Sequence, residues 1–103
     1  MKGKRHPHFD ASDPLLDATV VAELDLHGYT ADDAAGMVQG FLAGWQRRGG
    51  GVVVHIITGK GRGSPGGPVL RGRVASLLKG ALRPLVAEWA LDDADGGFKV
   101  RVR

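Results

Sequence analysis

Residues 19–30 read TVVAELDLHGYT, and how this stretch divides decides the fold. Val20, Ala22, Leu24 and Leu26 alternate with Val21, Glu23 and Asp25, the period of a strand with one apolar and one mostly polar face. His27 continues the second face, and Gly28 breaks the run. Thr30 is placed to cap a helix: Asp32 and Asp33 follow in its first turn, where carboxylates favour the exposed amides. Ala34, Met37, Val38, Phe41, Leu42 and Trp45 then recur at helical spacing, so this stripe is core. A strand therefore passes through a glycine turn into an amphipathic helix, with Asp25 and His27 together at the strand's end.

The rest of the chain repeats that theme once and then changes it. RRGGG (47–51) stops the first helix, VVVHIIT (52–58) is a strand buried on both faces, and GKGRGSPGGP (59–68) is a loop. A second amphipathic helix turns Leu70, Val74, Leu77, Leu78 and Leu82 inward, and Pro84 is expected to end it. LVAEWAL (85–91) and FKVRVR (98–103) are two more strands joined through DDADGG (92–97). The order βαβαββ predicts an α/β fold of the two-layer α+β sandwich type. Its four-stranded mixed sheet carries both helices on one face, the first two strands parallel through a right-handed crossover and the last two an antiparallel hairpin. Residues 1–17 read as a flexible arm with one turn at Leu15 and Leu16, and residues 18–103 as the domain. His6 and His8 lie in that arm, where an untethered pair without further ligands reads as tail.

Composition narrows the chemistry. The 103 residues contain no cysteine, which removes thiolate nucleophiles, disulfides and zinc ribbons and leaves His, carboxylates, hydroxyls and cations. The opening MKGKRHPHFDASDP has no apolar signal segment, and no run approaches the roughly 20 residues needed to span a bilayer, so the expectation is a cytoplasmic protein without membrane contact. The net charge is only +3, yet from Ala34 to Ala87 there is no acidic residue, while Arg47, Arg48, Lys60, Arg62, Arg71, Arg73, Lys79 and Arg83 fall there. A field of one sign suits a polyanion; the plainer reading is a solvated surface balanced by acids elsewhere.

Three features are candidates for function. Asp25 and His27 project to one side of the strand, and a carboxylate beside an imidazole favours its protonated form and fixes its orientation, giving a group that exchanges protons near neutral pH. The structural alternative is a histidine that only bonds a neighbouring loop. TGKGRGSPGG (58–67) resembles a phosphate-binding loop before a helix. It is not a Walker loop, because Gly61 and not Ser or Thr follows Lys60, and Pro65 removes an amide from the G-x-G-x-x-G of Gly61, Gly63 and Gly66. Lys99, Arg101 and Arg103 line one face of the last strand, either to follow phosphates or to blunt a sheet edge. His55, within an apolar strand, reads as a satisfied core histidine.

Taken in order, ELDLHGYT, an amphipathic helix, VVVHIITGKGRGS, the helix start GGPVLRGRV and a terminal GG hairpin resemble the Smr, or small MutS-related, domain in its stand-alone form, over about residues 18–103. The resemblance implies a two-layer sandwich similar to the C-terminal domain of bacterial translation initiation factor three, and nucleic-acid binding with DNA-nicking or RNA-cleaving activity. The family's L-D-x-H motif falls on Leu24, Asp25, Leu26 and His27, and its H-G-x-G or T-G-x-G motif on Thr58, Gly59, Lys60 and Gly61. Here the second motif has the Thr form, so one imidazole of many members is missing, and the terminal G-G-x-G is reduced to Gly96 and Gly97.

The expected function is a phosphodiester endonuclease with RNA favoured over DNA. His27 moves a proton and Asp25 orients it, while Thr58, Gly59, Lys60, Gly61, Arg62, Arg71 and Arg73 bind phosphate or nucleic acid. No cofactor is required if the RNA 2′-OH is the nucleophile, although Asp25 could hold one Mg²⁺ or Mn²⁺. The resemblance leaves ribosome association open, and the oligomeric state is not legible. Two alternatives remain: a catalytically silent nucleic-acid-binding module, and a mononucleotide-binding domain using the 59–66 loop.

Overall fold

The computed structural model describes residues 14–59, 67–92 and 96–103. The elements follow the predicted order: β1 (Val20–Asp25), α1 (Ala31–Arg47), β2 (Val53–Ile57), α2 (Gly67–Lys79), β3 (Val86–Asp92) and β4 (Gly97–Val102). β1 pairs parallel with β2, as a strand–helix–strand crossover requires. β4 then enters between β2 and β3, antiparallel to both, giving the order β1-β2-β4-β3. The last strand is thus interior and the sheet's edges are β1 and β3, so the edge-blunting reading of Lys99, Arg101 and Arg103 does not hold.

Alternation decides what each strand faces. Val54 and Ile56 of β2 and Phe98, Val100 and Val102 of β4 are buried in one cluster with Ala34, Val38 and Leu42 of α1 and Leu70, Val74, Leu77 and Leu78 of α2. Both helices therefore cover the same face, and the molecule has two layers. Trp89 of β3 tilts against Phe98 in this layer, with ring centroids 5.6 Å apart. The exposed positions of β1 are Val21, Glu23 and Asp25, the ones the sequence pattern sends outward.

The other face is covered in part. A 3-10 turn at Leu15–Asp17 buries Leu15 together with Ala18 against Val53, and Lys99 Nζ donates to the Leu16 carbonyl at 2.8 Å. The folded body thus takes in the turn expected at Leu15 and Leu16. α2 stops at Lys79, five residues before Pro84: the Leu82 N–H returns to the Leu77 carbonyl at 2.9 Å, and Pro84 instead sits in a 3-10 turn at Arg83–Leu85. Among the described residues no helix is long and apolar enough to cross a membrane.

Candidate active site

The parallel pairing brings the ends of β1 and β2 to one edge, with Asp25 opposite Ile57 and the Leu26 N–H donating to the Ile57 carbonyl at 2.8 Å. From there the connector to α1 is built residue by residue. Asp25 Oδ1 accepts the main-chain N–H of His27 at 3.0 Å, an Asx turn that ends the strand. The Tyr29 N–H closes onto the Leu26 carbonyl at 3.0 Å, and Gly28 occupies φ +89°, a conformation that side chains resist. Thr30 caps α1 as expected, its Oγ1 accepting the Asp33 N–H at 3.1 Å.

Asp25, Gly28 and Thr30 therefore have structural work, while the turn leaves outside the Tyr29 ring and the His27 ring, the latter with 69% of its side chain exposed. Its Nδ1 lies 3.9 Å from Asp25 Oδ1, too far for a hydrogen bond. The carboxylate expected to orient the imidazole fixes the main chain that carries the ring and lies within ion-pair distance of the ring itself.

Beside this connector, the second motif turns inward. The Gly96 carbonyl receives three donors, the Thr58 N–H at 2.9 Å, the Gly59 N–H at 3.1 Å and the Thr58 hydroxyl at 3.2 Å. Thr58 is 1% exposed. Its hydroxyl and the Gly59 amide are accordingly spent within the fold, and neither is a phosphate donor as the sequence suggested. The same junction explains the terminal glycine pair: Gly96 has φ +71°, and a Cβ on Gly97 would run into the Ile56 carbonyl of β2. Lys60, Gly61 and Arg62 lie outside the described residues, between this junction and the start of α2.

The remaining cations do not converge on this edge. Arg71 and Arg73 are exposed on α2, but at 3.6 residues per turn they are about 200° apart and flank its buried stripe from opposite sides. Arg47, Arg48, Lys79 and Arg83 sit at or beyond the C-terminal ends of the helices, at the far end of the sheet from His27. Arg48 lies over the Trp45 ring at 4.8 Å. Along β4 and at Arg103 just beyond it the cations are tied down: Arg101 Nε meets Glu88 Oε2 at 2.6 Å, Lys99 holds Leu16, and Arg103 Nη2 donates to the Val86 carbonyl at 2.8 Å. Lys99 and Arg101 are cross-braces, so the reading of that strand as a phosphate track is not supported by its contacts.

His55 also departs from expectation. It is buried, but it is not satisfied: Nδ1 lies 3.8 Å from Glu23 Oε2 and Nε2 lies 3.7 Å from Asp92 Oδ2, and Nε2 has no hydrogen-bond partner. Glu23 was visible on the polar face of β1. Asp92 was not, because only the insertion of β4 fixes where β3 lies. Among the described residues no group of three His, Asp or Glu side chains is arranged to hold a metal ion.

A search of the curated proteins finds no match to this sequence. A family model for the Smr domain matches residues 24–100, which takes in the strand-end Asp25 and His27, the Thr58–Gly59 junction and the Gly96–Gly97 pair. With most of its 103 residues matched and the two-layer architecture in place, the chain belongs to the Smr domain family, a nucleic-acid-binding, nuclease-like family.

Proposed function

We propose that this protein is an endonuclease that cuts single-stranded RNA in preference to DNA, with His27 as its proton-transfer group. The observation that carries the reading is the construction of the connector: a chain of turn and cap hydrogen bonds holds one imidazole out at the edge where β1 and β2 end. Ligands of open α/β sheets bind at such C-terminal edges. In RNA the neighbouring 2′-oxygen attacks phosphorus as the bond to the 5′-oxygen breaks. Neutral His27 takes the 2′-OH proton, and the departing oxygen is protonated from water. Lys60 and the Gly61 amide supply the charge and dipole that hold the phosphate, with Arg62 contacting the strand beyond it. This route requires no metal; DNA lacks the 2′-OH, so the nucleophile there would be an external water without the proximity of an attached hydroxyl.

The competing reading, a module that binds nucleic acid without cutting it, is favoured by one observation: the second motif spends its hydroxyl and first two amides on Gly96. Incubation of the purified chain with labelled RNA, the matching single-stranded DNA and supercoiled plasmid, each with and without EDTA, separates the two. The nuclease reading expects RNA cleavage that survives EDTA and leaves 2′,3′-cyclic phosphate ends. Binding of all three nucleic acids with no cleavage in any condition establishes the silent module instead.

A further inference from the structure

At the end of the sheet away from His27, a pocket of about 480 Å³ opens between the C-terminal turn of α2 and the edge strand β3. Its floor is apolar, from Leu78, Val86 and the half-buried Trp89. Its rim is cationic, from Lys79, Arg83 and Arg103. Glu88 also borders the pocket, but its carboxylate is engaged by Arg101 at 2.6 Å, so the rim keeps its positive sign.

Two of these groups are held in advance of any ligand. Trp89 rests against Phe98, which fixes the plane of the indole. Arg103 Nη2 is bonded to the Val86 carbonyl at 2.8 Å and reaches the Arg83 carbonyl at 3.5 Å, which fixes the guanidinium at the rim. A second, smaller concavity lined by Gly80, Ala81 and Pro84 adjoins it across Arg83 and Arg103.

We propose that this pocket is a nucleotide subsite, remote from the cutting edge, that takes one unstacked base against Trp89 and its phosphate on Lys79, Arg83 and Arg103. An aromatic face beside a basic rim is the combination by which single strands are held without reading their sequence. The proposal rests on the nucleic-acid reading given above and adds to it a second point of attachment. Gly97 pairs with Ile57 at the His27 end of the sheet and Val102 pairs with Val86 at the pocket end, so five residue steps separate the two ends. That is roughly 17 Å at about 3.3 Å per residue, or about five nucleotides of a stacked strand at about 3.4 Å each. A strand long enough to reach both ends is anchored at one and presented at the other.

The test uses Trp45→Phe protein, in which Trp89 is the remaining tryptophan, titrated with a 12-nucleotide single strand and with a blunt duplex of the same length. The single strand should quench Trp89 and the duplex should not, because its bases are already paired and stacked. Lys79→Ala with Arg83→Ala, both at exposed positions, should abolish the quenching at an unchanged melting temperature. The pair should also weaken single-strand affinity by about tenfold and lower the salt slope by about 1.4, the value for two phosphates of a single strand. Single-strand binding that leaves Trp89 fluorescence unmoved, or that is untouched by the double substitution, overturns the subsite and leaves the nuclease reading standing. Absence of any oligonucleotide binding by the unmodified chain overturns both.

Discussion

The two motif segments at the C-terminal edge are neighbours with opposite designs. The Asp25–Thr30 connector directs its hydrogen bonds into its own main chain and leaves the His27 ring outside, with Tyr29 exposed beside it. The Thr58–Gly59 segment directs a hydroxyl and two amides onto the Gly96 carbonyl and leaves nothing of them outside. Polar residues in adjacent motifs thus divide between holding the edge together and facing what lies beyond it. Hydrogen-bond destination separates the two roles where residue type does not.

Substitutions can break that contrast in order of size. Gly97→Val should cost most, about 4 kcal/mol, because its side chain would enter the space of the Ile56 carbonyl and part β2 from β4. Chemical denaturation would show it, and a near-native midpoint would mean that the strands are less closely apposed than described. Gly28→Ala comes next, at about 1–2 kcal/mol, for forcing a side chain into φ +89°. That change should also reduce cleavage, since it tilts the turn carrying His27. Thr58→Val should lose only about 1 kcal/mol: one hydroxyl bond goes, while the Gly96 carbonyl keeps its two N–H donors. Because the hydroxyl faces inward, this variant should bind and cut nucleic acid as the parent does; a sharp loss of affinity at intact stability would return Thr58 to the phosphate site. His27→Ala should be smallest in stability, within about 0.5 kcal/mol, as for other exposed side chains.

Much of this was legible in the sequence, for identifiable reasons. The alternation in TVVAELDL and the repeat from Ala34 to Trp45 fix faces directly, since burial on one side leaves a period in the residues. The strand–helix–strand order fixes that β1 and β2 end at one edge, hence that Asp25 and Thr58 are near each other. Strand order was not legible in the same way. FKVRVR has the alternation of a half-exposed strand, and nothing in it says that Glu88, Leu16 and Val86 supply partners for its cations once β4 lies between β2 and β3. Where the cations of the 34–87 segment go was hidden for a related reason: parallel crossovers send helix C-termini to the end of the sheet opposite His27, and Lys79 and Arg83 go with them. Asp25 was placed correctly on its face, but an aspartate two residues before a turn amide forms an Asx turn as readily as it meets an imidazole, and only geometry distinguishes these.

The most direct test of the central claim compares the parent chain with His27→Ala in parallel for RNA cleavage, RNA affinity and melting temperature. If His27 is the exposed proton-transfer group, cleavage is lost by about a hundredfold or more while affinity and melting temperature stay within error of the parent. Equal cleavage by both proteins, or a parallel fall in all three quantities, would contradict it.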